Sequence, residues 1–325
     1  MVSEGKHAGR SQPLATRFRI ALAVVVLTLL LGSQALGADL ALTDMIHGAT
    51  TLVTSQSKFG EAQATGFFCS RQGPPPDPRK QFQWVPIKGI WLIVNRHAIF
   101  RKVNGVEIEP EQITFNVRKE VNGRLEWSPV SFSKDEVFKR TLFHPDKRVD
   151  VAIISVFDTL EEHFGGSKIS LTITSGLRPR PEHVTVEVGD EVLIIGYPKG
   201  FYDQANLFPV VKSGIISSKW GADFGGLPHF MIDAKLFPGS SGSLVISKPT
   251  NYKIVDGKPL FSKLKKYAFL GIFSGEPERY RSPIQFPEFA LVPRDTWDLG
   301  IVWYGGLIEY IIDQGKRYQP GVATH

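Results

Sequence analysis

The 325-residue sequence contains a single cysteine, Cys69, so no disulfide can form within the chain and no cysteine cluster can hold a metal ion. It also lacks a phosphate-cradling glycine loop followed by a helical segment, and its His, Asp and Glu residues show no metal-ligand spacing. These absences predict no metal and no cofactor. Cys69 follows two phenylalanines in a strand-like segment, which favours a small core residue over a reactive thiol.

Long hydrophobic runs are also scarce, and the one at residues 20–31 is short for a membrane span. It follows Arg17 and Arg19 and precedes small residues around 35–38, which is the pattern of an export signal. We therefore predict a removed signal peptide over residues 1–38 and an exported, periplasmic or secreted protein. The alternative is an uncleaved anchor, and only then would the protein contact a membrane.

The net charge of +6 gives no reason to expect a nucleic-acid partner. Residues 1–38 hold four basic residues and one glutamate, so they carry +3 of that charge. The basic balance is thus largely a property of the targeting segment. The 31 glycines and 22 prolines, together with recurrent runs of Val, Ile and Phe, favour many short strands joined by turns.

The most informative segment is Pro-Gly-Ser-Ser-Gly-Ser at residues 238–243, between two apolar, strand-like segments. A serine on a glycine-rich tight turn exposes its hydroxyl, and the neighbouring backbone N–H groups can converge on one oxyanion. Ser241 is therefore the candidate nucleophile. Taken alone, such a run is more often an ordinary turn.

A serine nucleophile needs a base that accepts its proton and a carboxylate that holds the base in one tautomer. His97 ends the apolar segment 89–97, which places its imidazole at the rim of a buried strand. Asp150 stands at the start of an apolar run, where an unpaired carboxylate is costly to bury. Considered singly, His97 has the alternative of a structural histidine, and Asp150 that of a turn cap or a partner of Arg148.

The chain order His97, Asp150, Ser241 is that of the chymotrypsin architecture. The sequence resembles the trypsin-like serine peptidases of the bacterial type that lacks disulfides. Residues 64–68, Ala-Thr-Gly-Phe-Phe, are similar to an early glycine-bearing strand of that family, and residues 188–198 are similar to the strand that opens its second barrel. The resemblance implies an all-β fold of two six-stranded antiparallel β-barrels, chymotrypsin-like, with the three residues meeting in the cleft between the barrels.

We place the N-terminal barrel at residues 45–165, the C-terminal barrel at 180–300 and a C-terminal helix with a tail at 301–325. The Val-Asn-Gly turn at 121–123 between two alternating segments predicts a hairpin in the first barrel. Apolar residues at helical spacing over 301–314 predict the C-terminal α-helix.

The resemblance also implies the role of each site residue. Ser241 would attack a peptide or ester carbonyl, His97 would exchange the proton, and Asp150 would orient the imidazolium. The backbone N–H groups of Gly239 and Ser241 would form the oxyanion hole. The expected activity is that of a serine endopeptidase, and the expected partner is a peptide or protein substrate.

The residues that the resemblance places against the substrate are Lys235, Phe237, Phe273, Ser274 and Gly275. No acidic residue stands in the segment expected at the base of the specificity pocket, so a preference for Arg or Lys is not supported. We predict a small or apolar side chain at the cleavage site.

Two serines depart from the family's Gly-Asp-Ser-Gly-Gly pattern. Ser240 replaces the aspartate that pairs with a new N-terminus in members activated by cleavage, which speaks against that mode of activation. Ser243 adds a side chain where glycine is usual, next to the nucleophile. These departures leave one rival, a catalytically inactive relative that binds a peptide without cutting it.

Overall fold

β-Strands dominate the computed structural model, which describes residues 46–73, 87–103, 106–121, 124–164, 173–174, 185–206, 208–255, 258–277, 284–285, 288, 290–291 and 297–318. All of these residues belong to one unit of the chain. The predicted signal peptide, residues 1–38, lies outside the described residues. None of the helices within them is long and apolar enough to cross a membrane.

The first half of the described chain contains these elements: β1 (Thr50–Ser57), β2 (Gly60–Gln72), β3 (Ile87–Val94), α1 (Arg96–Ile99), β4 (Arg101–Val103), β5 (Val106–Ile108), β6 (Gln112–Val121), β7 (Arg124–Ser133), α2 (Lys134–Arg140), β8 (Thr141–Phe143), β9 (Ala152–Ser155), α3 (Phe157–Phe164) and β10 (Ile173–Thr174). The second half contains β11 (Glu191–Gly196), β12 (Val210–Ile216), β13 (His229–Asp233), β14 (Leu244–Ser247), β15 (Thr250–Val255), β16 (Lys258–Lys266), β17 (Phe269–Gly275), β18 (Ile284–Gln285), β19 (Ala290–Leu291), β20 (Leu299–Tyr304), α4 (Leu307–Gln314) and β21 (Lys316–Arg317).

The described residues form two large sheets, one mainly from each half, and three two-stranded sheets, β4-β5, β15-β16 and β18-β19. The second half closes into a six-stranded barrel in the order β11-β12-β13-β20-β17-β14. The first half forms a nine-stranded sheet in the order β21-β8-β9-β3-β2-β1-β6-β7, with β10 paired to β2. The predicted all-β class is confirmed, with one closed barrel; the other half is a larger sheet because β10 and β21 add to its strands.

The hairpin predicted in the first half is confirmed. β6 and β7 pair along their full length, from Gln112 opposite Ser133 to Val121 opposite Arg124. Ile113, Phe115 and Val117 stand at alternate positions of β6 and are buried, as expected for a strand with one face on the core. The Asn-Gly turn at 122–123 itself lies outside the described residues.

Each half has its own apolar core. Phe68, Leu92, Phe115 and Ile154 belong to the core of the first half. Ile194, Phe230, Phe273 and Val302 belong to the core of the barrel. A fully buried side chain of this size contributes roughly 1.5–3 kcal/mol. Both halves are therefore stabilised by the burial of their own apolar side chains.

The C-terminal helix is shorter than predicted. Residues 299–304 form strand β20, in which Ile301 stands opposite Met231 of β13, and α4 begins only at Leu307. The prediction of a helix over 301–314 was wrong at its start. A short apolar run fits a half-buried strand as well as one turn of a helix, so the run around Ile301 did not distinguish the two. Leu307, Ile308 and Ile311 of α4 are buried as the helical spacing indicated.

The C-terminal segment ties the barrel back to the first sheet. After α4, β21 pairs with β8. Arg71 of β2 donates to Asp313 of α4 at 2.7 Å and lies 3.3 Å from Glu309. The chain that leaves the barrel therefore returns to the other half and helps to fix the two halves against each other.

Cys69 lies in β2 and is fully buried, which confirms the core assignment. Burial raises the pKa of its thiol, and the nearby Glu309 carboxylate adds to the effect. A thiol must ionise and be reached to react. We expect Cys69 to be unreactive toward an aromatic disulfide reagent in the native protein and to react completely in denaturant. Rapid labelling of the native protein at pH 8 would contradict the burial.

Candidate active site

His97 and Asp150 are brought together by two paired strands. β3 and β9 are antiparallel neighbours, with Val94 opposite Ala152. His97 follows the end of β3 in α1, and Asp150 precedes the start of β9, so both residues emerge at the same end of the pair. The sequence placed both residues at strand ends, and the strand pairing makes those ends adjacent.

The Asp150 carboxylate holds His97 by two contacts. Its Oδ2 lies 2.6 Å from His97 Nδ1, and its Oδ1 accepts the backbone N–H of His97 at 2.9 Å. The fully buried Asn95 also donates from its side chain to the Asp150 backbone carbonyl at 2.7 Å. The ring and the chain segment that carries it are thus fixed together. Arg148 pairs instead with Asp146 at 2.7 Å, which lowers the pKa of Asp146 to about 2.

Ser274 at the end of β17 connects Asp150 to Ser241. Its hydroxyl donates to Asp150 Oδ2 at 2.5 Å, and its backbone carbonyl accepts the Ser241 hydroxyl at 2.8 Å. Ser274 had been predicted only as a substrate contact. The Asp150 carboxylate therefore accepts three hydrogen bonds, from the His97 ring, the His97 backbone N–H and the Ser274 hydroxyl. The Ser241 hydroxyl does not contact Asp150 in this arrangement but is linked to it through Ser274.

The loop that carries Ser241 depends on two glycines in the left-handed region. Gly239 has a φ of 88° and Gly242 a φ of 84°, which side chains disfavour. A Cβ on Gly242 would lie 2.0 Å from the Thr65 carbonyl oxygen, so no other residue fits there without a backbone shift. The Gly242 N–H donates to the carbonyl of Phe273 at 2.7 Å, which fastens the loop to β17.

The peptide groups before Gly239 and Ser241 are anchored by their carbonyls. The Pro238 carbonyl accepts the Lys199 N–H at 2.7 Å, and the Ser240 carbonyl accepts the Ser243 N–H at 3.0 Å. In a trans peptide the C=O and N–H point in opposite directions. The N–H groups of Gly239 and Ser241 therefore point away from these anchors, and among the described residues neither has an acceptor.

Thr65 of β2 holds two further carbonyls of the same loop. Its hydroxyl donates to the Gly239 carbonyl at 3.0 Å and accepts the Tyr197 N–H at 2.9 Å. Its backbone N–H donates to the Ser241 carbonyl at 2.8 Å. Thr65 is fully buried. Sequence analysis noted the segment 64–68 only as a strand and missed this side chain, because the contact joins residues 174 positions apart.

The candidate residues open onto one cleft of about 630 Å³. It is lined by His97, Asp150 and Ser241, and also by the predicted substrate contacts Phe237, Phe273, Ser274 and Gly275.

Several lining residues were not among the candidates, Leu236, Ile301, Arg101 and Lys102 among them, whereas the predicted contact Lys235 and the candidate oxyanion donor Gly239 are not lining residues. Ala234 and Leu236 are buried while Lys235 is exposed, because side chains alternate along extended backbone. The Lys235 backbone carbonyl accepts a hydrogen bond from the ammonium group of Lys212. Within the described part of the chain, no cluster of three His, Cys, Asp or Glu side chains is placed to hold a metal ion.

Three solved structures are similar at low identity. A serine endoprotease from Yersinia pestis is 18% identical with a TM-score of 0.42, and the match covers 85% of this chain but only 65% of that protein's length. A protease from M. tuberculosis in its active form is 15% identical with a TM-score of 0.39, covering 85% and 84%. An inactivated protease paralogue from the scabies mite is 14% identical with a TM-score of 0.41, covering 83% and 94%.

No curated protein matches the sequence significantly. The model of the trypsin-like peptidase domain, in contrast, matches residues 64–252, more than half of the chain. The matched stretch runs from the strand that carries Thr65 through His97 and Asp150 to the Ser241 loop, and the chain accordingly belongs to the trypsin-like peptidase domain family.

Proposed function

We propose that the protein is a serine endopeptidase in which Ser241 attacks the peptide carbonyl, His97 takes up the serine proton and Asp150 orients the imidazole. The observation that carries the proposal is the 2.6 Å contact between His97 Nδ1 and Asp150 Oδ2, in the same cleft as Ser241. A carboxylate at Nδ1 favours the tautomer with its proton there, and Nε2 is then the ring nitrogen whose lone pair can accept a proton.

The proton that is transferred starts on the Ser241 hydroxyl, which is hydrogen-bonded to Ser274. The Ser241 hydroxyl donates to the Ser274 carbonyl at 2.8 Å, so it has to turn toward the imidazole before it attacks. Rotation about χ1 moves it between staggered positions. The proton passes to Nε2 as the new C–O bond forms, and His97 then returns it to the leaving amine. A water molecule repeats the sequence on the acyl-enzyme and releases the carboxylic acid.

The Gly239 and Ser241 N–H groups are suited to stabilise the oxyanion that develops on the substrate carbonyl. Both peptide groups are anchored through their carbonyls, so the donors are oriented before substrate arrives. Pre-oriented donors need no reorganisation during the reaction, and each is typically worth about 3 kcal/mol.

The apolar part of the cleft supports a preference for a small or apolar side chain at the cleavage site. Leu236, Phe237 and Phe273 line it, and Leu236 and Phe273 are largely buried even without substrate. Burial of an apolar substrate side chain among them would contribute on the order of 1.5–3 kcal/mol.

Reaction with a fluorophosphonate probe, followed by peptide mapping, tests the proposal against the inactive relative. An activated serine is phosphonylated, whereas a protein that only binds peptides is not. We expect a single label on Ser241, none on the heat-denatured protein, and cleavage of members of a peptide library. The departures at Ser240 and Ser243 favour the rival, and peptide binding without label or cleavage would support it.

Replacement of Thr65 by valine is expected to lower kcat/KM by roughly 10–100-fold, because the Gly239 carbonyl loses its anchor and a misplaced donor is costly in rate. The part-buried Gly239 carbonyl and the buried Tyr197 N–H would each lose a partner, at about 1–3 kcal/mol of stability. Kinetics and urea unfolding of the variant measure both effects.

Thr65→Ser is the matched control, because it keeps the hydroxyl and removes only a methyl group. The Thr65→Ser variant should keep most of the wild-type kcat/KM. A Thr65→Val enzyme with normal kcat and reduced stability alone would show that Thr65 supports the fold and does not position the oxyanion donor.

Export of the protein also remains our proposal, supported by the pattern of residues 1–38. N-terminal sequencing of protein recovered from the producing cell tests it. A mature N-terminus near Ala38 or Asp39 would support a cleaved signal peptide, and an intact N-terminus in the membrane fraction would support the anchor.

A further inference from the structure

We propose that the cleft selects acidic polypeptides, with Arg101 and Lys102 as the residues that recognise carboxylate side chains; this inference rests on the proposed function. Both residues line the cleft, and both are exposed. They belong to β4, which follows the helix α1 that carries His97. The cations therefore lie on the wall beside the catalytic histidine.

Three acidic residues line the cleft, Glu107, Asp150 and Glu276, and the first two are already engaged. Glu107 stands directly opposite Lys102 in the β4–β5 pairing. However, its carboxylate accepts hydrogen bonds from Nε and Nη2 of Arg96, at 3.2 and 2.9 Å. Asp150 is occupied by His97 and Ser274. Neither carboxylate is left to neutralise the β4 cations.

Within the described part of the chain, neither Arg101 nor Lys102 forms an ion pair with a carboxylate. The Arg101 guanidinium donates to the neutral backbone carbonyl of Phe59 at 3.4 Å. Lys102 has no anionic partner among the residues that the structure describes. A carboxylate on a bound peptide would therefore gain an ion pair without having to displace one.

Two further ammonium groups stand beside Phe237, a lining residue from the second half, although neither lysine lines the cleft itself. The Phe237 ring lines the cleft and is 41% exposed. Lys212 Nζ lies 4.7 Å and Lys199 Nζ 5.3 Å from its centroid. Phe237 thus offers an apolar contact flanked by positive charge. A substrate that presents an apolar residue between acidic ones complements both features of this cleft.

The selection of acidic substrates is tested with fluorogenic peptides that have one apolar residue at the cleavage site and Gln or Glu at each of the neighbouring positions in turn. We expect Glu to raise kcat/KM roughly 2–5-fold per favourable position over Gln. The gain should fall in 0.5 M NaCl, because salt screens exposed ion pairs. Equal rates for Gln and Glu peptides at low salt would overturn the inference and leave the peptidase proposal intact.

The double variant R101E/K102E assigns the effect to β4 and is expected to abolish or reverse the preference for Glu. The matched control is K258E/K263E, which makes the same change of charge on exposed lysines of β16 that do not line the cleft. The control should keep the preference. If both double variants lose it to the same extent, the preference reflects net charge, and Arg101 and Lys102 do not recognise the substrate.

Binding provides a readout that is independent of turnover. Fluorescence anisotropy of the same peptides on Ser241→Ala measures affinity without cleavage. If Ser241→Ala binds the Glu peptides more tightly than the Gln peptides, and R101E/K102E abolishes that difference, acidic selection is supported. This holds even if the wild-type protein cuts no peptide, and then only the proposed hydrolysis would fail. Equal affinity for the Gln and Glu peptides would overturn acidic selection on its own.

Discussion

Ser241→Ala is expected to lower kcat on a peptide substrate by about a millionfold, the usual scale for removal of the nucleophile from a serine hydrolase triad. The hydroxyl is the only atom lost, and the loop backbone is held by Thr65, Lys199 and Phe273 through bonds that the substitution does not touch. Substrate affinity and thermal stability should therefore change little. Steady-state kinetics together with peptide binding by the variant separates the two effects.

Ser243→Ala is the matched control in the same loop. The Ser243 hydroxyl is buried and has no hydrogen-bond partner among the described residues, so its removal should be neutral or slightly stabilising. Loss of activity in Ser243→Ala but not in Ser241→Ala would overturn the assignment of the nucleophile. It would also show that the serine at the position where the family has glycine takes part in the reaction.

The sequence indicated which candidate residues lie close together wherever the residue ends or begins a strand. His97 closes one apolar run and Asp150 opens another, and the pairing of β3 with β9 places them side by side. Ser241 was recognisable because its neighbouring glycines are required by backbone geometry: a side chain at Gly242 would collide with Thr65. Such signals are readable because they depend on few residues.

The supporting contacts were not readable from the sequence. The Thr65 hydroxyl reaches the Ser241 loop and the Ser274 hydroxyl reaches Asp150 from strands that are distant in sequence, and nothing in their local pattern distinguishes them from other strand hydroxyls. Lys235 was taken as a substrate contact by position alone, while the alternation of the extended chain turns it outward and brings Leu236 into the cleft. Which face a residue occupies depends on the strand register, which pairing fixes.

The fold class was predictable and the closure of the sheets was not. Alternating apolar segments predicted the strands of both halves, but they do not say whether the outer strands meet. The barrel closes through β20, a strand that the helical spacing around Ile301 had hidden. In the first half the C-terminal β21 pairs with β8 and enlarges the sheet, and this contact joins strands that are far apart in the sequence.

Asp150→Asn is expected to lower kcat about 10⁴-fold while the protein stays folded, because the carboxylate sets the tautomer of His97. Asp150 accepts three donors: the His97 ring, the His97 N–H and the Ser274 hydroxyl. An asparagine offers one oxygen and one NH₂ group in their place. With the NH₂ group facing Nδ1, the ring proton moves to Nε2, and the base can no longer take the serine proton.

The matched control is Asp146→Asn, the same chemical change four residues earlier on the same loop. Asp146 is paired with Arg148 on the surface, and an exposed pair of this kind contributes little, so kcat on an uncharged peptide should stay within about twofold of wild type. Because residues of a triad act as a unit, the double variant S241A/D150N should be no slower than S241A alone. A further drop in the double variant would mean that Asp150 acts on the reaction by a route that does not pass through Ser241, and the proton path from serine to imidazole would have to be abandoned.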